Sequence, residues 1–262
     1  MPADVSPQLM NELVQISLDA GAKIMEIYNG DIDVRTKDDA SPVTDADEAA
    51  EKIILAGLSK AASEIPVVAE EGVAAGNIPD ISGGVFFLVD PLDGTKEFIS
   101  RNGEFTVNIA LVDNGAPIAG VVYAPAIGKL YGGSSSGAFC QDIENGVASG
   151  DRQAISIRNA PEEGLTVVAS RSHRSPETDE FISQYNVAEL RSAGSSLKLC
   201  LVASGEADFY PRLGRTMEWD IAAGDAVLRA AGGTTTLLDG EPFTYAKPEF
   251  ENPYFVAKGQ ID

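Results

Sequence analysis

The chain has 262 residues, with 19 Lys and Arg against 40 Asp and Glu, a formal net charge of −21. That balance excludes a nucleic-acid polymer as partner, because phosphate backbones need a basic surface, and argues against unaided docking on anionic lipid. One His, His173, and two Cys, Cys140 and Cys200, cannot build the usual zinc centres or a disulfide framework. A bound metal must therefore be a hard cation held by carboxylates, such as Mg²⁺, Mn²⁺ or Ca²⁺.

Ser6-Pro7 is a helix start, a hydroxyl cap followed by Pro at the first helical position. Leu9, Leu13, Ile16, Ala20, Ile24 and Ile27 continue it as an apolar stripe, and Gly30 ends it. A second helix starts at Thr44 or Asp45 and carries Ala49, Ile53, Ile54 and Leu58. A short strand over 67–69 runs into Glu70-Glu71-Gly72. The apolar run 85–89 predicts a strand buried on both faces, ending in Asp90-Pro91-Leu92-Asp93-Gly94-Thr95. Strands over 105–112 and 117–123 flank Asn114-Gly115, a hairpin signal. Another hairpin is expected over 130–140, and the polar stretch 141–153 reads as a domain junction. Beyond it strands at 165–169, 187–190, 207–210 and 234–238 alternate with helices at 176–185, 196–204 and 219–231. The fold class is α/β, with an α+β half over 1–150 and an α/β half over 151–262.

The 44% apolar content is that of a globular chain. No apolar run approaches the roughly 20 residues of a membrane span. Met1-Pro2-Ala3-Asp4 lacks the basic and apolar regions of a signal peptide. A reducing cytoplasm is the expected setting, with weak peripheral membrane association left open.

The chemistry concentrates after the most apolar strand. Asp90 and Asp93, at i and i+3, are expected to be brought close by a turn in which Pro91 fixes φ. Two acids ending a buried strand are costly unless paired or bound to metal. Gly94 allows close backbone approach, so its N–H and that of Thr95 can face an anion, and the Thr95 hydroxyl suits a held water. Taken singly, Glu70-Glu71 reads as a solvated strand end, and Asp47 and Asp220 as first-turn helix acids. The sharper reading requires all of them to converge.

An acidic pair, then D-P-L-D-G-T, then W-D, here Glu70-Glu71, Asp90 to Thr95 and Trp219-Asp220, resembles the inositol monophosphatase superfamily of Mg²⁺-dependent, lithium-sensitive phosphatases. The resemblance runs from the first helix to Gly233 and implies a layered αβαβα fold. Four segments are similar to its bisphosphate nucleotidase branch: 41–47; 95–99 with 102–108; 170–173; and 194–198 with 210–220. Lys96-Glu97-Phe98 is the most telling part.

The resemblance implies roles. Glu70, Asp90 and the Leu92 carbonyl would hold one Mg²⁺, and Asp90, Asp93 and Asp220 a second, with a third, weaker one near Glu70 and Mn²⁺ as a substitute. Asp47, Glu70 and Thr95 would activate a water for direct in-line attack. The Gly94 and Thr95 amides would take the scissile phosphate. Ser195, Lys198 and Arg212 would take the second phosphate of a small nucleotide bisphosphate, and His173 the adenine or ribose. The implied setting is sulfur assimilation, the implied state a monomer or homodimer.

Within the superfamily the alternative is an inositol monophosphatase or a promiscuous sugar phosphatase. A metal-dependent nucleotide sensor without catalysis is more remote. Gly133-Ser134-Ser135-Ser136-Gly137 matches G-x-S-x-G in form, but Ala138-Phe139-Cys140 after it reads as strand, so a hairpin turn is expected there and not a hydrolase elbow. A haloacid-type phosphatase needs D-x-D, which the D-x-x-D spacing does not supply.

Overall fold

The computed structural model describes residues 5–30, 32, 34–36, 42–170 and 174–261. The chain opens with α1 (Pro7–Tyr28), β1 (Val34–Thr36), β2 (Pro42–Thr44) and α2 (Asp45–Ala61). Then come β3 (Val67–Ala69), α3 (Glu70–Ala74), β4 (Val85–Asp93), α4 (Thr95–Ile99), β5 (Thr106–Asp113), β6 (Ala116–Ala124), β7 (Lys129–Ser134), β8 (Gly137–Glu144) and β9 (Val147–Ile155). The last part holds β10 (Leu165–Ser170), α5 (Pro176–Ile182), β11 (Val187–Ala193), α6 (Leu197–Ala203), β12 (Phe209–Arg212), α7 (Glu218–Ala230), β13 (Thr234–Leu237) and β14 (Phe255–Lys258).

Strands β3 to β9 form a seven-stranded sheet in sequence order, and β11-β10-β12-β14-β13 a five-stranded one. Three cores show how the layers stack. Leu13, Ile24, Ile54 and Leu58 of α1 and α2 pack on Phe87, Val89 and Ile109 of one sheet face. Phe86, Leu88 and Val122 of the other face meet Leu199, Val202, Ala222 and Val227 of α6 and α7, which also meet Phe255 of the smaller sheet. Leu165, Val167 and Phe209 on that sheet's far side pack with Ile182 of α5. The order is helix, sheet, helix, sheet, helix. Because β4 lies between two helical layers, its apolar run is continuous.

Local signals explain the helix starts. Ser6 accepts from Leu9 N–H ahead of Pro7. Thr44 caps α2, accepting from Ala46 N–H, while its own N–H and hydroxyl donate to Asp47 Oδ2 at 2.8 and 2.7 Å. Asn114 and Gly115 both take positive φ, 48° and 80°, as the expected hairpin turn between β5 and β6 requires. Ser135-Ser136 turn β7 into β8, so the G-x-S-x-G segment is a hairpin.

Three expectations change. The polar stretch 141–153 is not a junction but most of the β8–β9 pair, and its polarity reflects the exposed edge strand β9. The expected division at 150/151 falls inside β9, and α6 and α7 of the second half share their core with the larger sheet. The acids 90 and 93 are not in a turn. Strand β4 continues through them with a register irregularity: Asp90 pairs with Asn108 and Asp93 with Thr106. In a regular strand i and i+3 point to opposite faces. An extra residue on β4 puts both acids opposite same-face residues of β5. The pairs β1–β2 and the strand β14 carried no strong sequence signal.

At the start of α7, Glu218 is fully buried. Its carboxylate accepts the N–H groups of Ala246 and Lys247, both at 2.9 Å, and pairs with Lys247 Nζ at 2.6 Å. Replacing Glu218 with Ala leaves those donors without their acceptor. It should destabilise the fold by about 3 kcal/mol, read from urea unfolding midpoints. A loss below about 1 kcal/mol would show that the clamp is not needed.

Candidate active site

One cavity of about 250 Å³ opens where α3, the end of β4, α4, α6, β12 and α7 meet. Glu70, Asp93, Gly94, Thr95, Ser195, Lys198, Arg212 and Asp220 all line it. Glu70, Asp93 and Asp220 come from three separate elements and meet at this cavity. Asp90, Leu92 and Asp47 are almost wholly buried and do not line the cavity surface. His173 and Ser41 lie outside the described residues.

Gly94 is left-handed, with φ 94°, between β4 and α4. A Cβ there would stand 3.1 Å from Ser195 Oγ and 3.2 Å from the Glu104 carbonyl, so a larger residue is both strained and crowded. Thr95 donates from its hydroxyl to Asp47 Oδ1 at 3.2 Å. Asp47 thus joins the cap of α2 to the cavity wall. Asp220 takes the third position of α7 and accepts Met217 N–H at 2.8 Å.

The charges are arranged against one another. Burial, then repulsion from Glu70, Asp93, Asp220 and Asp47, pushes the Asp90 carboxyl well above its usual range. Burial, then Asp93 and Glu70, does the same to Asp220 against the Met217 N–H and Arg212. Asp93 is pushed up to about 6 by burial, with Glu97 and Glu70 adding and Lys198 and the Ser196 N–H opposing. Lys198 is lowered to about 8, chiefly by burial.

These oxygen donors fit a hard divalent cation, whose charge would relieve the repulsion that burial concentrates. They do not form a closed shell: among the described residues no three His, Cys, Asp or Glu side chains meet as a metal centre. Part of the reason is visible. Asp47 and Asp220 each turn an oxygen to their own helix start, and Asp90 Oδ1 accepts Leu92 N–H at 3.0 Å.

The cations Lys198 and Arg212 line the same cavity. Lys198 Nζ donates to the Ala193 carbonyl at 3.3 Å and lies 5.4 Å from the Tyr210 ring centre. Arg212 donates from Nη2 to the Arg215 carbonyl at 2.8 Å, while its buried Nε has no protein partner among the described residues. Beneath them Ser196 donates to Asn108 Oδ1 at 2.6 Å and is 2.9 Å from the Thr106 hydroxyl, tying α6 to the strand opposite Asp90 and Asp93.

Sequence reasoning assigned no role to Glu97, Tyr210, Arg215 or Ser196, which also line the cavity. Glu97 and Tyr210 lie inside segments that carry the family resemblance, but nothing in their neighbourhood distinguishes a wall residue from a solvated one. The Ser196–Asn108 contact joins residues 88 apart and has no local signature.

The chain matches the Inositol monophosphatase family over residues 7–254. It is 45% identical over 250 residues to the 3′(2′),5′-bisphosphate nucleotidase CysQ of Shigella flexneri, covering 94% of this chain and 98% of that protein. The enzyme of the same name from Escherichia coli K12 is 44% identical over the same shares. Among solved structures, CysQ from Bacteroides thetaiotaomicron superposes with a TM-score of 0.81 at 37% identity, over 97% of both chains. An IMPase from Thermotoga maritima gives 0.75 at 26% identity, over 94% of this chain and 90% of that one. Matched along nearly its whole length in sequence and in fold, the chain belongs to the inositol monophosphatase family.

Proposed function

We infer that the chain is a 3′(2′),5′-bisphosphate nucleotidase. It removes the 3′-phosphate of adenosine 3′,5′-bisphosphate, and of the 5′-phosphosulfate analogue, giving AMP from the former. The observation that carries this reading is one cavity lined both by Glu70, Asp93 and Asp220 and by Lys198 and Arg212. A monophosphate uses only the acidic side. The buried, unpartnered Arg212 Nε is a donor awaiting an anion. The family's metal dependence and the names of the relatives support the same reading.

In it, Glu70, Asp90, Asp93, Asp220 and the Leu92 carbonyl hold two to three Mg²⁺, with Mn²⁺ as a substitute and Li⁺ as an inhibitor. Mg²⁺ there supplies Lewis acidity, offsetting phosphate charge and lowering the proton affinity of the attacking water. Thr95 donates its hydroxyl hydrogen bond to Asp47 Oδ1, leaving lone pairs on Oγ1 to accept a hydrogen bond from that water and orient it. Asp47 cannot rotate away, because Thr44 holds its other oxygen twice. Glu70 supplies a further acceptor at the cavity wall, and the Gly94 and Thr95 amides receive the scissile phosphate. Ser195, Lys198 and Arg212 grip the 5′-phosphate, and His173 contacts adenine or ribose. The protein works as a monomer or homodimer. Among the described residues no helix is long and apolar enough to cross a membrane.

A phosphate-release panel tests the assignment, with and without Li⁺, on the bisphosphate, its phosphosulfate analogue, inositol 1-phosphate and fructose 1,6-bisphosphate. Lys198→Ala with Arg212→Ala should raise KM for the bisphosphate by tens-fold or more, since each charged contact contributes about 1.5–3 kcal/mol. KM for inositol 1-phosphate should barely move. Equal losses on both substrates would favour the sugar-phosphatase alternative, and no release from any of them a sensor.

A further inference from the structure

We propose that Glu104 is a positioning residue for the second-phosphate subsite, holding the 194–195 elbow in the shape that presents Ser195 and Lys198 to the cavity. This rests on the nucleotidase reading above. Glu104 lies just before β5, 90 residues from Gly194, and reaches the elbow twice. Gly194 N–H donates to Glu104 Oε2 at 2.8 Å, and the Ser195 hydroxyl donates to the Glu104 carbonyl.

The elbow needs such anchors. Ser195 has a φ of +42°, a left-handed conformation that a residue with a side chain adopts only when its surroundings impose it. At Gly194 a Cβ would lie 2.7 Å from the Glu104 carbonyl oxygen and 2.9 Å from Glu104 Cβ, so the two backbones close without room for a side chain. Lys198 depends on the same segment, since its Nζ donates to the carbonyls of Ala193 and Ser195. Movement of the elbow therefore moves the acceptors that aim the ammonium group. The Glu104 carboxylate faces a backbone amide, and its charge favours the ammonium form of Lys198.

The experiment compares adenosine 3′,5′-bisphosphate with adenosine 3′-monophosphate, which lacks the 5′-phosphate. Glu104→Ala should raise KM for the bisphosphate by about ten- to a hundredfold. Its kcat, and KM for the monophosphate, should stay within about twofold. Glu104→Gln keeps an acceptor for Gly194 and should return KM to within about threefold of wild type. An unchanged KM for the bisphosphate, equal increases on both substrates, or Gln as impaired as Ala would each overturn the proposal. Should the Ala variant fail to fold, Glu104→Asp, one methylene shorter, should raise KM for the bisphosphate alone, and an unchanged KM there would overturn it. A wild-type enzyme with no preference for the bisphosphate overturns the nucleotidase reading and this proposal together. A preference that survives in the Ala variant overturns the proposal alone.

Discussion

Phosphate release by an Asp90→Asn variant should fall at least about a thousandfold, equivalent to about 4 kcal/mol of transition-state stabilisation, while the fold survives. Asp90 is the most crowded acid of the site, repelled by Glu70, Asp93, Asp220 and Asp47. In the proposed arrangement it would hold Mg²⁺ together with Glu70, Asp93, Asp220 and the Leu92 carbonyl, and Asn would offer no anionic oxygen in its place. Asn is nearly isosteric and keeps an oxygen to accept Leu92 N–H. The variant also loses a carboxyl whose ionisation burial and four neighbouring acids oppose. Its melting temperature at neutral pH, in chelator, should therefore lie above that of the wild type. Lost activity with a raised melting temperature is the signature of a functional acid held against its own stability. Activity above about a tenth of wild type would remove Asp90 from the ligand set.

What was legible in the sequence was what depends on residues close together. The Ser6-Pro7 and Thr44-x-x-Asp47 helix starts, the Asn114-Gly115 hairpin and the two-face burial of β4 each rest on a few neighbouring side chains, and each is present. Glu70, Asp93 and Asp220 were readable because a spaced motif carries them, although periodicity gave no reason for them to meet.

What stayed hidden depends on pairing between distant segments. The irregularity in β4 is visible only once β5 lies beside it, and it is what turns Asp90 and Asp93 to one face. Strand β9 reads as a loop because an exposed edge strand needs no apolar alternation. Glu104 and Glu218 have no role in the sequence reading, yet Glu104 accepts the Gly194 N–H from 90 residues away and Glu218 the Ala246 and Lys247 N–H groups from 28 and 29 residues away. The formal charge of −21 behaves similarly. It describes the surface, whereas the cavity sets a few acids against Lys198 and Arg212, and only the fold brings those groups together.

Chelation of divalent cation should abolish both turnover and nucleotide binding, and it should make the stability of the protein fall with rising pH. The acidic wall repels phosphate unless its charge is offset, and Lys198 and Arg212 alone face a chain with an excess of 21 negative charges. Linkage gives the sign of the pH effect. Asp93 titrates near 6 when folded, above its usual 3.8, and Asp90 and Asp220 are raised as well. Between the unfolded and folded values the native state binds more protons, so stability declines as pH rises through that window. Thermal melts in chelator should therefore fall from about pH 4 through about pH 6 and keep falling while Asp90 and Asp220 lose their protons, with a shallower fall for Asp93→Asn, which removes one of the titrating groups. Mg²⁺ added at the upper end should restore about 3 kcal/mol at a free concentration about a hundredfold above its Kd. At the lower end it should restore less, because protons then compete for the same oxygens. Nucleotide binding that survives chelation, measured by calorimetry at neutral pH, would show that the cationic wall suffices alone and would remove the metal from substrate capture.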